Sequence, residues 1–170
     1  MHTSNVAAAY VLAVHDQLRG GMRHADLEQR ELAALTLVAE HDGCSLDWLR
    51  GRVELTQSGT VRLVDRLAGR DLLRRGVSTG RGVPLHVTKR GADSLERWGA
   101  ERDRIVDDLL AAVPAEQRSL LIDAMAAVLA GQQRRRPQAD STCRTCSWEA
   151  CGRDCPVDRS VSSTAAEGES

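Results

Sequence analysis

The stretch from Thr56 to Arg70, TQSGTVRLVDRLAGR, combines an apolar and a cationic helix face within fifteen residues. Thr56 is a favourable N-cap, because its hydroxyl can accept a hydrogen bond from a free N–H of the first helical turn. Arg62, Arg66 and Arg70 recur every four residues on one side. Apolar residues recur in steps of three and four on the other side, which is the period of a helix face. They are Val61, Val64, Leu67 and Ala68. The stretch is therefore predicted to be a surface helix that packs with one face and presents positive charge with the other.

Helical patterns and two short strand patterns surround this helix. Helices are predicted over residues 5–19, about 26–41 and about 45–52, strands within 72–78 and 83–88, and further helices that begin at Thr88 and Pro114. Gly20 and Gly21 are expected to end the first helix. The predicted fold is mainly α with a small β-hairpin, in the order of a winged helix-turn-helix with additional helices at both ends.

Positive charge is concentrated between Arg50 and Arg90. This segment holds ten Arg or Lys and three acidic residues, so it carries +7, whereas the whole chain carries −1. A charge run alone is most often a solvated face. Here it coincides with two short helices and a tight turn, an arrangement in which the second helix enters the DNA major groove. The segment is therefore predicted to bind double-stranded DNA.

The predicted DNA-contacting side chains lie at the start of the second helix and on the hairpin. The groove-facing residues are Gln57, Ser58, Thr60, Val61 and Arg62. The hairpin is predicted to be a wing whose tip residue, Arg81, enters the adjacent minor groove. Arg74 and Arg75 are expected to neutralise phosphates, which positions a protein on DNA without reading its sequence.

Residues 58–91, SGTVRLVDRLAGRDLLRRGVSTGRGVPLHVTKRG, resemble the recognition helix and wing of the MarR family, the multiple-antibiotic-resistance regulators. The motif VRLVDRL, a wing with glycine and arginine, and a T-K-R-G helix start carry the resemblance, which extends over roughly residues 5–133. It implies a transcriptional regulator, a repressor, that binds a palindromic operator as a homodimer through its first and last two helices. Arg66 is also predicted to be a DNA-binding residue. With Asp65 it matches a family Asp-Arg pair on the recognition helix, which is interpreted as bracing more than as base readout. The wing departs from the family pattern, because Ser78, Thr79 and Gly80 stand where an aspartate precedes the arginine.

Four of the five cysteines lie within thirteen residues, in the spacing C-x2-C-x4-C-x3-C. They are Cys143, Cys146, Cys151 and Cys155. Zn²⁺ accepts four thiolates in closed structural sites, and an iron–sulfur cluster also takes four cysteines. Two thiol switches, with pKa values lowered by Arg144 and Arg153, are a third alternative, and incidental cysteines are a fourth. The spacing thus predicts a metal or redox site without choosing between zinc, iron–sulfur and thiols.

The sequence predicts three consecutive regions. They are a winged-helix domain with dimerisation helices over 1–136 (DNA-binding core about 26–91), a cysteine-rich metal or redox tail over 137–160, and a disordered tail over 161–170. The chain has no Phe and one Tyr, so an aromatic pocket for a small-molecule effector is hard to form. The cysteine tail is therefore the expected regulatory input, while a small-molecule effector stays possible.

Other function classes are less compatible with the sequence. No nucleophile–base arrangement, phosphate-binding loop or open metal site is evident, so an enzyme is not expected. The alternative is a winged-helix protein-interaction module or a redox carrier, but an interaction helix favours apolar anchors over a row of arginines. The longest apolar run has nine residues and a membrane span needs about 20. A cytoplasmic location is expected, where thiols are normally reduced.

Overall fold

Helices account for most of the chain in the computed structural model, which describes residues 2–78 and 82–162. The elements are α1 Thr3–His24, α2 Gln29–Glu40, α3 Leu46–Val53, α4 Gln57–Gly69, β1 Leu73–Arg75, β2 Leu85–Val87, α5 Lys89–Ala111, α6 Ala115–Ala130, α7 Arg136–Thr142 and α8 Trp148–Cys151. Two short 3-10 turns, Gly152–Asp154 and Asp158–Ser160, follow α8. The predicted fold class, mainly α with a small hairpin, is confirmed.

Helix α2 lies at the centre of the apolar core. Every residue from Glu31 to Val38 is buried. Helix α2 and the elements around it contribute leucines that are at most 2% exposed. This leucine core consists of Leu32, Leu35, Leu37, Leu49, Leu63, Leu67, Leu73 and Leu85. Because burial of one such side chain stabilises a fold by about 1.5–3 kcal/mol, the core holds α3, α4 and the hairpin in fixed positions around α2.

The hairpin follows α4 directly and is antiparallel. Leu73 pairs with Val87, Arg74 with His86, and Arg75 with Leu85. Each strand has three residues and is shorter than predicted. Leu73 and Leu85 face the core, whereas Arg74 and Arg75 are exposed. The predicted wing tip with Arg81 lies outside the described residues.

Helix α1 continues through Gly20 and Gly21 and ends at His24, so the prediction that these glycines end it was wrong. A Cβ atom at Gly21 would lie 2.8 Å from Ile105 Cδ1 and 2.9 Å from Glu101 Cγ. Glycine therefore allows α1 to cross α5 closely, and this packing offsets the roughly 1 kcal/mol that a glycine costs inside a helix.

Helices α1 and α6 carry large apolar side chains that the described residues leave exposed. Helix α6 has no buried residue, although most of its sixteen residues are apolar. The most exposed side chains are Val11, Leu12, Leu120 and Val128, each more than 60% accessible. Exposed apolar side chains on two helices are typical of an interaction site. Among the described residues, no helix combines the length and the apolar character that crossing a bilayer requires.

Residues 136–162, which we call the cysteine segment, fold back onto the winged-helix core. Its far end is joined to Arg134, two residues before α7, since Arg134 N–H donates to the Ser160 carbonyl at 2.9 Å and Ser162 N–H donates to the Arg134 carbonyl at 3.2 Å. Val161, which the sequence placed in the disordered tail, forms a β-bridge with Arg134. Residues 163–170 lie outside the described residues.

Candidate nucleic-acid interface and cysteine site

Helices α3 and α4 form the predicted helix-turn-helix through a three-residue turn from Glu54 to Thr56. Glu54 adopts a left-handed conformation with φ of +54°, which ends α3. The Thr56 hydroxyl then accepts a hydrogen bond from Gly59 N–H at 3.1 Å and begins α4. Ser45 caps α3 in the same way, since its hydroxyl accepts from Trp48 N–H at 3.1 Å. Both predicted caps are confirmed.

The start of α4 presents a polar surface. Gln57, Ser58 and Arg62 are exposed, and Val61 is half-buried. Their side chains occupy the first turn and a half of a helix whose opposite face is fixed by Leu63 and the rest of the leucine core. A rigid helix with an exposed polar N-terminal end has the geometry needed to enter a major groove.

The structure corrects one member of the predicted groove-facing set. Thr60 is fully buried, and its hydroxyl donates to the Thr56 carbonyl oxygen at 3.0 Å. The side chain points toward the core because position 60 lies one turn before buried Val64. Thr60 therefore supports the start of α4 and does not face a DNA groove.

Arg66 and Arg70 converge on one buried carboxylate. Glu31 on α2 is 2% exposed. It accepts from Arg66 Nε at 2.9 Å and from an Arg70 guanidinium nitrogen at 2.8 Å. Arg70 also donates to the Asp26 carboxylate at 2.8 Å. Arg66 therefore braces α4 against α2, although 56% of its side chain stays exposed.

The remaining predicted arginines divide into one paired and two unpaired side chains. Arg75 on β1 donates to the Asp65 carboxylate at 2.7 Å, which joins the hairpin to α4. Arg62 and Arg74 are exposed and form no ion pair with another residue of the described chain. Their charges are therefore available for a ligand that approaches α4 and the hairpin.

Comparisons with known proteins agree with this geometry. The chain is 29% identical over 102 residues to an uncharacterized HTH-type transcriptional regulator, YdgJ, of Bacillus subtilis (strain 168), and the match spans 59% of this chain and 62% of that relative's length. A MepR mutant from S. aureus bound to an oligodeoxyribonucleotide superposes with a TM-score of 0.63 at 15% identity, over 76% of this chain and 97% of the other. The multiple antibiotic-resistance repressor MarR from Listeria monocytogenes superposes with a TM-score of 0.59 at 18% identity, over 75% of this chain and 94% of the other.

The chain has the winged-helix fold of the MarR regulators. The resemblance seen in residues 58–91 is thereby confirmed at the level of the fold. No protein-family model matches the sequence. The relatives are named as a transcriptional regulator and a repressor, which is the class of protein that the sequence predicts.

The cysteine segment is docked on this MarR-type core through a buried ion pair. Arg52 on α3 donates from Nε to the Asp140 carboxylate on α7 at 2.7 Å, and the side chains are only 6% and 1% exposed. Arg52 also donates to the Trp48 carbonyl at 3.2 Å, and its guanidinium lies 3.7 Å above the centre of the Trp48 ring. The ion pair thus joins the first helix of the helix-turn-helix to the helix that leads into the cysteines.

The turn between Cys143 and Cys146 is held against α5. Cys146 N–H donates to the Cys143 carbonyl at 2.9 Å, which closes the turn. At its apex the Thr145 carbonyl accepts from Trp98 Nε1 at 3.0 Å and from Arg102 at 3.4 Å. The first two cysteines therefore occupy a turn whose position is set by the core.

An aromatic group completes the contact between the two regions. The His41 ring lies between Trp48 of α3 and Trp148 of α8, with ring centres 4.4 Å and 5.2 Å apart. Trp148 Nε1 donates to the Cys143 carbonyl at 3.1 Å. Burial lowers the pKa of His41 below its usual value, and Arg52 acts in the same direction. His41 is therefore a neutral packing residue at neutral pH.

All four cysteines of the segment line one cavity of about 80 Å³, together with Asp140 and Trp148. A hydrogen bond from the Cys143 thiol lowers the pKa of Cys146 to about 7, and the nearby charges of Arg102 and Arg144 favour the same thiolate. The pKa of Cys143 is raised in turn by Cys146 and by burial, and burial and Cys155 raise that of Cys151. Within residues 2–78 and 82–162, no three Cys, His, Asp or Glu side chains are close enough to hold a metal ion as they stand.

Sequence reasoning missed Arg52, Asp140 and Thr145. Arg52 looked like one more member of the basic segment, and Asp140 is 88 residues away from it. No periodicity connects positions so far apart, and a backbone carbonyl such as that of Thr145 leaves no trace in residue type. The position of Asp140 one turn before Cys143 was the available signal that α7 and the cysteines act together.

Proposed function

We propose that this chain is a DNA-binding transcriptional regulator and has no catalytic activity. The exposed N-terminal end of α4, with Gln57, Ser58 and Arg62 facing outward, is the observation that supports this function most directly. Arg74 on β1 adds an exposed positive charge that forms no ion pair with any of the described residues. The DNA-bound MepR mutant has the same fold, and the YdgJ relative is named as a transcriptional regulator.

We propose further that the active species is a homodimer formed by α1 and α6. Leu120 and Val128 are 69% and 66% exposed, on a helix with no buried residue. A second copy of the chain is the occupant that also explains DNA recognition, because a two-fold dimer places two α4 helices for two half-sites about one helical turn apart. The operator is accordingly proposed to be palindromic and the protein to act as a repressor, with the cysteine segment as its input.

Selection of bound fragments from randomised duplex DNA, followed by titration of the enriched site, tests this function. We expect a two-fold symmetric site whose affinity falls steeply with salt, with a slope of about −0.9 for each phosphate contact. Arg62→Ala is expected to weaken binding by about 1–3 kcal/mol if Arg62 contacts a base.

Arg30→Ala is the matched control, because it also removes one exposed positive charge but lies on α2, outside α4, the hairpin and the two proposed dimer helices. It is expected to bind the selected site like the unaltered protein. Equal binding by the Arg62 and Arg30 variants, or the absence of any enriched site, would contradict the proposed interface.

A further inference from the structure

The four cysteines of the segment are arranged for one shared ligand of small size. Their side chains line a single cavity of about 80 Å³. Pockets for organic ligands usually have roughly 300–1,000 Å³, so the cavity suits an ion better than an organic effector. A single ion gathers its four sulfurs around one point, whereas an iron–sulfur cluster separates them because they bind different irons. The small size of the shared cavity therefore favours a single ion.

The segment contains too little apolar surface to hold its own fold. From Cys143 to Ser162 the structure buries one large apolar side chain, Val157, and covers Trp148 partly. Its helix α8 has four residues, far below the length at which a helix is stable without support. Small units of this kind usually need a disulfide or a metal as a cross-link. Bound metal would supply that stability here.

The surroundings of the cavity offset the charge that a thiolate site would carry. Four thiolates around a divalent cation leave a net charge of −2, and the thiol protons are released to solvent. Arg102 and Arg144 lie near Cys146, and Arg136 lines the cavity. Arg102 is held in place by its hydrogen bond to Thr145 within the first cysteine turn.

The same cavity is connected to the helix-turn-helix by one side chain. Asp140 lies one turn before Cys143 on α7, lines the cavity and is 1% exposed. One of its oxygens accepts from Arg52 on α3, and the other has no hydrogen-bond partner among the described residues. A ligand that fixes the positions of the cysteines would therefore also fix the position of Asp140, the partner of Arg52.

We propose that Cys143, Cys146, Cys151 and Cys155 bind a single thiophilic divalent cation of the Zn²⁺ class, and that the filled site holds Asp140 against Arg52 and thereby sets the orientation in which α3 presents α4 to DNA. The proposed metal site is supported by the cysteine cavity alone. The proposed effect on α3 and α4 rests on the proposed DNA-binding function. Because the thiols do not yet surround one point at coordination distance, binding draws them inward from the wall of the cavity that they share.

Metal analysis of the purified full-length chain tests the site without any reference to DNA. We expect one zinc per chain, and we expect the absorption of a tetrahedral Co²⁺–thiolate centre after exchange with Co²⁺. Cys146→Ser and Cys151→Ser should lose the metal. Cys44→Ser is the matched control, because Cys44 packs against the leucine core and does not line the cavity. Iron with sulfide, no metal at all, or full zinc retention in both serine variants would overturn the site.

The connection to DNA is tested by titrating the selected duplex with zinc-loaded and chelator-treated protein. We expect removal of zinc to weaken binding on the order of tenfold, within the usual range of coupling between two sites. Asp140→Asn should retain zinc and bind DNA equally with and without it. Glu149→Gln is the control, since Glu149 is exposed on the same segment, does not line the cavity and should keep the zinc dependence.

The outcomes separate the two proposals. If the unaltered protein selects no DNA in either zinc state, the proposed function fails, while the zinc site is still decided by metal content. If DNA binds equally in both zinc states, or if Asp140→Asn keeps the zinc dependence, the connection through Arg52 is overturned. Should Asp140→Asn fail to fold, the double variant Arg52→Met with Asp140→Leu replaces the ion pair by apolar packing and carries the same expectation.

Discussion

The winged-helix core and the cysteine segment are held together by different forces. The core is built from leucines that are at most 2% exposed, contributed by α2, α3, α4 and the hairpin. The cysteine segment is attached by an ion pair, by hydrogen bonds to the Thr145 carbonyl and by aromatic edges around His41. Apolar burial acts in any conformation that excludes water, whereas polar contacts act only at one distance and angle. The cysteine segment, which is attached by polar contacts, can therefore be released from the core by a change in a few atoms.

The ion pair between the two regions should give the largest effect of a single substitution. Asp140→Ala leaves Arg52 buried without its partner and is expected to lower the free energy of unfolding by about 3–5 kcal/mol. Replacing both, with Arg52→Met and Asp140→Leu, should restore most of that loss. Urea denaturation of the three proteins measures it, and additive losses in the double variant would contradict a coupled pair.

Truncation of a buried leucine in the core should have a similar or slightly smaller effect on stability. Truncation of an apolar side chain in the cysteine segment should have a clearly smaller one. Leu35→Ala removes a fully buried side chain and is expected to cost about 2–5 kcal/mol. Val157→Ala in the cysteine segment should cost less, because Val157 is one isolated buried side chain there. Urea denaturation checks both, and an equal loss would show that the segment has an apolar core of its own.

A substitution on α6 should weaken dimer formation and leave the stability of the core unchanged. Leu120→Glu places a charge on a side chain that is 69% exposed in the single chain. If Leu120 is buried between two copies, the dimer loses about 1.5–3 kcal/mol for each buried leucine. Analytical ultracentrifugation should then show monomers that keep the thermal stability of the core. Gln117→Glu, which adds the same charge at a polar position of α6, should remain dimeric.

Arg66 and Arg62 should separate stability from DNA binding on one helix. Arg66→Ala removes a contact to buried Glu31 and is expected to cost about 1 kcal/mol of stability or less, because Arg66 is more than half exposed. Arg62→Ala has no such partner among the described residues and should leave thermal denaturation unchanged. A larger loss of stability in the Arg62 variant would contradict the assignment of Arg66 as the brace.

The smallest effect is expected from pH at the contact between the two regions. Burial lowers the pKa of His41 in the folded protein, so the unfolded chain binds the proton more readily. The contribution of His41 to the free energy of unfolding is therefore complete above the pKa of the unfolded chain, about 6.5, and it decreases as the pH falls below that value. Urea denaturation across this range should show a weaker decrease in His41→Gln. His15→Gln, an exposed position on α1, should behave like the unaltered protein.

Several elements followed from local chemistry and could be predicted without the structure. Ser45, Thr56 and Thr88 each accept a hydrogen bond from a backbone N–H of the first turn, as their residue types indicate. The two faces of α4 followed from spacing alone, since a period of 3.6 residues assigns each position to a side. Thr60 was misassigned because its polar residue type suggested an exposed position, whereas the side chain is fully buried and its hydroxyl is satisfied within its own helix by the Thr56 carbonyl.

The sequence by itself determined which residues cap helices, which face of α4 is apolar and that four cysteines stand close together, because these properties depend on neighbours along the chain. Only the tertiary structure decided that Gly21 is a helix crossing, that Arg66 and Arg70 share Glu31, and that Arg52 meets Asp140. These contacts join residues far apart in the chain, and their partners are selected by the geometry in which the leucine core packs.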